Sequence, residues 1–325
     1  MTKISMITEH NSEKKDGSTI RPKWQIKALI ENGYKDIELI DNFKMNKMKK
    51  VQDKIFHAHQ LSGRFLDGVK YISDIHGLEF IHSSYLKNGY PFYSWRKWSF
   101  FYKTKYYKKL EEKIFRNSIH LICAGESIFE RVSKIQNSTL VRNAVFIKDF
   151  EPVNNDELKI ALVGPFLPGK INYMGVKIIR DVIRNLPKIN FVLIGKTDQT
   201  FRNELNFKNA QFLGEVNNYL QELQKCSVLL SPYPDYAHYL GSKNKFLEAA
   251  ASQMPIITTP SGATDFNNEL LLIGKNSEEI IEKIEYLKSD NIRKEIGKEL
   301  LKEIKNNHNA IIESKKIIKI YNEFN

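Results

Sequence analysis

Apolar runs of β type alternate with amphipathic helical runs along nearly the whole chain, and the alternation starts twice. Strands separated by helices pair in parallel through right-handed crossovers, so the pattern confines the chain to α/β architectures. Candidate strands in the first half are Ile4–Thr8, Ile37–Ile40, Lys54–Ala58, Val69–Ile75, Ile119–Cys123 and Thr139–Val141. The polar stretch Glu151–Glu157 reads as a linker. The pattern restarts with Lys159–Gly164 and continues through Asn190–Ile194, Ala210–Leu213, Ser227–Ser231, Pro255–Thr259 and Leu270–Ile273. Helical periodicity covers Ser277–Lys288, Ile292–Lys305 and Ala310–Tyr321. A length of 325 residues leaves room for two domains of ordinary size. Each has a Gly-bearing first βα turn, which predicts two nucleotide-binding α/β units, 1–150 and 151–305.

No run of 18 apolar residues and no signal-peptide pattern occurs, so the expectation is a cytosolic chain without a membrane span. Cys123 and Cys226 each lie in an apolar run and read as buried, reduced thiols. The net charge of +12 is uneven. Residues 1–150 hold 27 of the 50 Lys and Arg against 16 of the 38 Asp and Glu, while the remainder is nearly balanced at 23 against 22. A one-sided basic surface points to an anionic membrane or to nucleic acid, whereas a Lys-rich composition alone would not be one-sided.

The segment Gly241–Thr259 carries the most chemistry. A buried strand and a Pro- and Tyr-rich loop precede it, and Gly241 and Ser242 are expected to open a helix. A helix starting beyond the C-terminal end of a strand aims free N–H groups at the sheet crevice, where anions bind. Lys245 and Glu248, three apart, share a helix face, one suited to a phosphate and the other to a vicinal diol. Phosphate plus diol suggests a nucleotide.

The chain resembles glycosyltransferases of the GT-B fold, of the family 4 type. Leu162-Val-Gly164, Phe191–Lys196, Phe212–Val216 and Val228–Pro232 are similar to successive strands of that family's donor domain, and 241–259 to its donor helix. Asp74-Ile-His-Gly77 and Leu140–Ala144 with Asp149-Phe150 resemble its acceptor-domain and inter-domain passages. The resemblance implies two Rossmann-like domains with parallel sheets facing across a cleft. It also implies a helix at 306–325 that returns to the N-terminal acceptor-binding domain. Two places depart from the family pattern. Leu240 stands where a sugar-reading Glu is common, and Pro165 and Met174 stand where the diphosphate clamp usually has Arg and Lys.

By resemblance, Glu248 holds the ribose hydroxyls of a nucleotide diphosphate sugar. Lys245 and Lys170 neutralise its departing diphosphate, and Gly241, Ser242 and Gly164 cradle the phosphates. His76 faces the donor sugar, and Gly17 and Ser18, with Arg21 adding charge, approach the diphosphate from the acceptor domain. Glu126 is a weaker acceptor-side candidate. The implied reaction moves a hexose-type sugar to a glycan or lipid-linked acceptor, with retention and without a metal or other cofactor. The sequence has no Asp-x-Asp to bridge a metal. His57 and His59 share a strand face, and without further ligands nearby in sequence they read as packing rather than a metal pair. A non-catalytic GT-B scaffold and a basic nucleic-acid-binding protein remain as alternatives.

Residues 85–118 stand apart, with twelve aromatic residues interleaved with nine Lys and Arg against only Glu111 and Glu112. This mixture suits a membrane headgroup interface, single-stranded nucleic acid, or a core helix hairpin with a solvated basic face. Within the GT-B reading we expect it to dock the chain on the inner face of a membrane, with no nucleic-acid partner.

Overall fold

The computed structural model describes residues 3–9, 17–41, 55–88, 90–153, 156–167, 175–234 and 243–324. The chain forms two compact units, one built from Met1–Phe146 with His308–Asn325, the other from Ile147–His238 with Lys243–Asn307.

The first unit runs β1 (Ile4–Ile7), α1 (Gly17–Glu31), β2 (Ile37–Ile40), β3 (Ile55–His59), β4 (Tyr71–Ile75), α2 (Glu79–Asn88), α3 (Trp95–Asn117), β5 (His120–Cys123), α4 (Glu126–Val132) and β6 (Ser138–Leu140). Its six strands are all parallel, in the order β2-β1-β3-β4-β5-β6. Both sheet faces are covered, as continuous apolar strands require. Alternate side chains therefore enter different cores: Ile122 packs with Ile4, Met6 and Trp24, while Leu121 and Cys123 pack with Ile7, Phe56 and Tyr71.

Buried polar contacts help to hold the helix α3. The buried Glu111 carboxylate accepts from the Glu79 N–H at 2.7 Å, capping α2, and the Tyr71 hydroxyl donates to the Ile114 carbonyl at 2.6 Å. Burial pushes the Glu111 carboxyl up to about 8, against the backbone hydrogen bonds from Glu79 and Phe80 that favour its charge.

The second unit runs β7 (Lys159–Val163), α5 (Val176–Asn185), β8 (Asn190–Ile194), α6 (Gln199–Glu204), β9 (Ala210–Gly214), α7 (Tyr219–Gln224), β10 (Val228–Ser231), α8 (Asn244–Ala251), β11 (Ile256–Thr258), β12 (Leu272–Ile273), α9 (Ser277–Tyr286) and α10 (Asp290–Asn307). Its parallel order is β12-β11-β10-β7-β8-β9. A final helix, α11 (Ala310–Glu323), packs on α1 in the first unit, burying Ile317, Ile320 and Tyr321.

Two sequence expectations need correction. The strand expected at Leu270–Ile273 is shortened, because the Asn267 side chain accepts from the Glu269 N–H and turns Asn268–Leu270 into 3-10 helix. The described ends of the 151–157 stretch are packed rather than loose. Val153 N–H donates to the Ser252 carbonyl, and the buried Arg293 guanidinium donates to the Asp156 carbonyl.

Close approach of α10 to α8 depends on Gly297, where an added Cβ would collide with the backbone carbonyl of Gln253, just past α8. Gly297→Ala should lower the melting temperature by several degrees, since a forced backbone shift costs about 1–3 kcal/mol and each kcal/mol is worth roughly 2–4 °C at this size. An unchanged melting curve would show that the helices separate freely.

Candidate donor site

Strand order in the second unit reverses between β7 and β10, because the chain moves from β7 outward through β8 and β9 and returns on the other side. Open α/β sheets bind ligands at the carboxyl ends of the strands at such a reversal. The helix α8 follows β10 there. Lys245 Nζ donates to the carbonyl of Val163, the last residue of β7, at 3.0 Å. Gly164 follows, and its N–H donates to the Ile194 carbonyl. Gly195 has φ +125° at the end of β8, and a Cβ there would lie 3.1 Å from the Gly164 Cα, so the two strand ends approach as only glycines allow.

The helix itself is apolar on nearly every side, with Phe246, Leu247 and Ala249–Ala251 buried. Its charged groups therefore sit in a poorly solvated environment. Burial pulls the Lys245 ammonium down to about 7, with Glu248 opposing and Lys243 reinforcing the shift. Burial also pulls Lys243 down to about 8. The Glu248 carboxyl is raised by burial, against Tyr219 and Lys245. Both ammonium groups lie over the Tyr233 ring, Lys245 at 4.8 Å and Lys243 at 5.8 Å from its centroid. Tyr233 is fixed by exchange with Thr259, whose hydroxyl accepts from the Tyr233 N–H and donates to its carbonyl. Cations, a carboxylate and aromatic rings thus converge at one strand edge, a set able to hold a phosphorylated diol.

The helix begins later than expected. Its first residue is Asn244, and Lys243 occupies the N-cap in extended conformation. Gly241, Ser242, Leu240, Lys170 and Met174 lie outside the described residues. Three site residues escaped the sequence analysis. Tyr233 stands directly beyond β10 at the strand-order reversal, a position that could have flagged it. Lys243 is two residues before Lys245 and was hidden by the expected helix start. Tyr219, buried near Glu248 without a well-formed hydrogen bond, arrives from another crossover and has no local signal.

In the first unit His76 follows β4, and its Nε2 lies 2.9 Å from His59 Nδ1. His57 and His59 stack with centroids 4.7 Å apart, as their shared strand face predicts. His57 reaches Tyr321 Oη with Nδ1 at 2.6 Å and Asp74 Oδ2 with Nε2 at 3.2 Å. Arg21, expected to bring charge to a diphosphate, is instead 2% exposed. It donates to Asp74 Oδ1, Asn143 Oδ1 and the Val141 carbonyl. A buried guanidinium needs such partners, which is why it turns inward. Gly17 and Ser18 form the first turn of α1, and Glu126 pairs with Arg142 on the surface. His57, His59 and Asp74 have the proximity of a metal-binding trio. Asp74, however, is already compensated by Arg21 and Gln25, so the cluster fits hydrogen-bonded packing better than an added cation.

These groups fix an acid response. Burial pushes His59 well below 6.5, aided by His57 and opposed by Asp74. Below pH 6.5 the unfolded chain binds a proton that the folded chain refuses, so stability falls with pH, by at most about 1.4 kcal/mol per unit. Burial would raise the Asp74 carboxyl, yet Arg21 and His57 hold it well below its ordinary value, so its contribution is lost only at lower pH. All three tryptophans, Trp24, Trp95 and Trp98, belong to the first unit, and their fluorescence reports its unfolding. Glu111, pushed up to about 8 in the same unit, acts in the opposite direction over this range, so the readout is a difference: between pH 6.5 and 5 the urea midpoint of the wild type should fall relative to that of His59→Phe. An equal change in the two proteins refutes the assignment.

Residues 157–290 match the sequence family described as Glycosyl transferases group 1. No curated protein matches the chain by sequence. Among solved structures it is similar to sucrose-phosphate synthase from Thermosynechococcus elongatus, with 14% identity, TM-score 0.78 and coverage of 100% of this chain and 99% of that one. HepE from Anabaena, solved with UDP and glucose, gives 11% identity, TM-score 0.72 and coverage of 99% and 100%. The lipopolysaccharide outer core galactosyltransferase WaaB, in its apo form, gives 13%, 0.63, 99% and 100%. The chain thus has the GT-B glycosyltransferase fold along its whole length, and its second unit carries the sequence pattern of glycosyltransferase group 1.

Proposed function

We propose that the chain is a retaining, metal-independent hexosyltransferase of family 4 type. It takes a sugar from a nucleoside diphosphate donor and passes it to a glycan or lipid-linked acceptor. It works in the cytoplasm, peripherally at the inner membrane face. The observation that carries this reading is the pair Lys245 and Glu248, half-buried on α8 at the strand-order reversal inside the segment that matches group 1. HepE, solved with UDP and glucose, and WaaB, named for its lipopolysaccharide acceptor, support the choice of donor and acceptor classes.

Glu248 accepts hydrogen bonds from the ribose diol. Cleavage of the bond between the sugar C1 and the phosphate oxygen leaves negative charge on the diphosphate, and Lys245 and Lys243 neutralise it as it develops. Lys170 adds charge and Gly241 and Ser242 contribute backbone donors, while the Gly164 turn, whose N–H groups are taken up by the Ile194 and Lys196 carbonyls, offers only its close backbone approach. The departing phosphate oxygen takes the proton of the acceptor hydroxyl as that oxygen bonds C1 from the same face. In the first unit His59 holds His76 in place.

Two measurements test this. A thermal-shift panel of nucleoside diphosphates and their sugars should give one stabilising class. Glu248→Ala should weaken that ligand about 10- to 100-fold, the loss of one or two charged hydrogen bonds, and abolish sugar transfer. Unchanged affinity would remove Glu248 from the site. Lys245 lies near 7 and Lys243 near 8 in the empty site, so a diphosphate bound at pH 8 should draw in protons. Calorimetry with UDP in buffers of different ionisation enthalpy should show uptake of at least about half a proton at pH 8, and none at pH 5.5 from these lysines. Absence of uptake at pH 8 refutes the phosphate role of both.

A further inference from the structure

The outward face of α3 carries aromatic rings where a solvated helix carries charges. Trp95, Trp98, Tyr102 and Tyr106 recur at spacings of three, four and four residues, so they form one stripe. The stripe lies opposite the face that buries Glu111, Ile114 and Phe115. Trp95 is 73% exposed, Tyr102 68%, and Tyr93 in the preceding turn 89%. The same face continues into Lys109 and Lys113, with Lys103 and Lys105 on its flanks. Glu111 anchors α3 to α2 and so fixes which face is turned out.

We propose that this stripe is a docking surface for an anionic lipid bilayer. The aromatic rings enter the headgroup layer, and the lysines flanking and following them pair with lipid phosphates. Trp and Tyr partition to such interfaces, and Lys stems lie along apolar surface while the ammonium stays at the phosphates. Charge complementarity supports the choice, with nine Lys and Arg against two acids in 85–118 and one of those acids, Glu111, buried. The rings are also braced edge to face, Phe92 on Trp98 at 5.3 Å and Trp98 on Phe101 at 6.0 Å, with the Trp98 indole N–H donating to the Phe92 carbonyl. Among the described residues no helix is long and apolar enough to cross a membrane, so attachment is peripheral. The inference deepens the peripheral-membrane part of the proposed function, yet its test does not require sugar transfer.

Trp95 and Trp98 are two of the three tryptophans, so the surface reports on itself. Vesicles of phosphatidylglycerol and phosphatidylcholine should shift the emission of the full chain to the blue and float with it. Pure phosphatidylcholine, or 0.5 M salt, should abolish both effects. Lys103→Glu/Lys105→Glu/Lys109→Glu should weaken binding at least about 100-fold. Trp95→Ala/Tyr102→Ala should lose flotation with the melting curve unchanged. Both variants should keep the thermal shift given by the nucleotide, so loss of docking and failure of the donor site are read separately. The proposal is overturned by flotation equal in wild type and variants. It is also overturned if the chain binds single-stranded nucleic acid, or self-associates through the stripe, without binding vesicles.

Discussion

Reversal of strand order is the constraint on which the rest of the second unit depends. The chain leaves β7 on one side through β8 and β9 and returns on the other at β10. The first turns after β7 and β10 therefore diverge and open a crevice above the sheet. α8 enters at that edge, and the bond from Lys245 to the Val163 carbonyl ties it to the central strand. Gly164 and Gly195 sharpen the same edge by letting two strand ends approach without side chains.

Burying charge has opposite consequences in the two units. Asp74 is surrounded by Arg21, Gln25 and His57, so its charge is fully compensated and the cluster acts as structure. In the second unit the buried Lys243 and the half-buried Lys245 and Glu248 lose hydration, and their proton affinities move toward neutrality. Such poorly hydrated groups gain from a ligand of complementary charge and hydrogen bonding. A diphosphate offers the charge to the lysines, and a diol offers hydrogen-bond donors to Glu248.

The sequence announced its strands clearly, because parallel strands covered on both faces are mostly apolar, with β3 and β4 the exceptions that carry His57, His59 and Asp74. Ile4–Ile7, His120–Cys123 and Val228–Ser231 fall within the predicted runs. Helix starts were harder to read. Gly241 and Ser242 were expected to open the helix, yet it begins at Asn244 with Lys243 at the N-cap and no side-chain cap bond to mark the start. The inward turn of Arg21 is equally hard to read locally. A lone Arg in a first helical turn carries no mark of whether it faces solvent or Asp74, 53 residues away.

Taken alone, the sequence determined two α/β units, the pairing of Lys245 with Glu248 on one helix face, and the aromatic and basic character of 85–118. Each is a matter of local periodicity, and local periodicity is written in neighbouring residues. Tertiary structure alone brought Tyr219 and Tyr233 to Glu248 and Lys245. It also gathered three histidines around Asp74 and turned the aromatic side of α3 outward. Those arrangements join residues from separate crossovers, and their partners are chosen by strand order and by which helix face the core accepts.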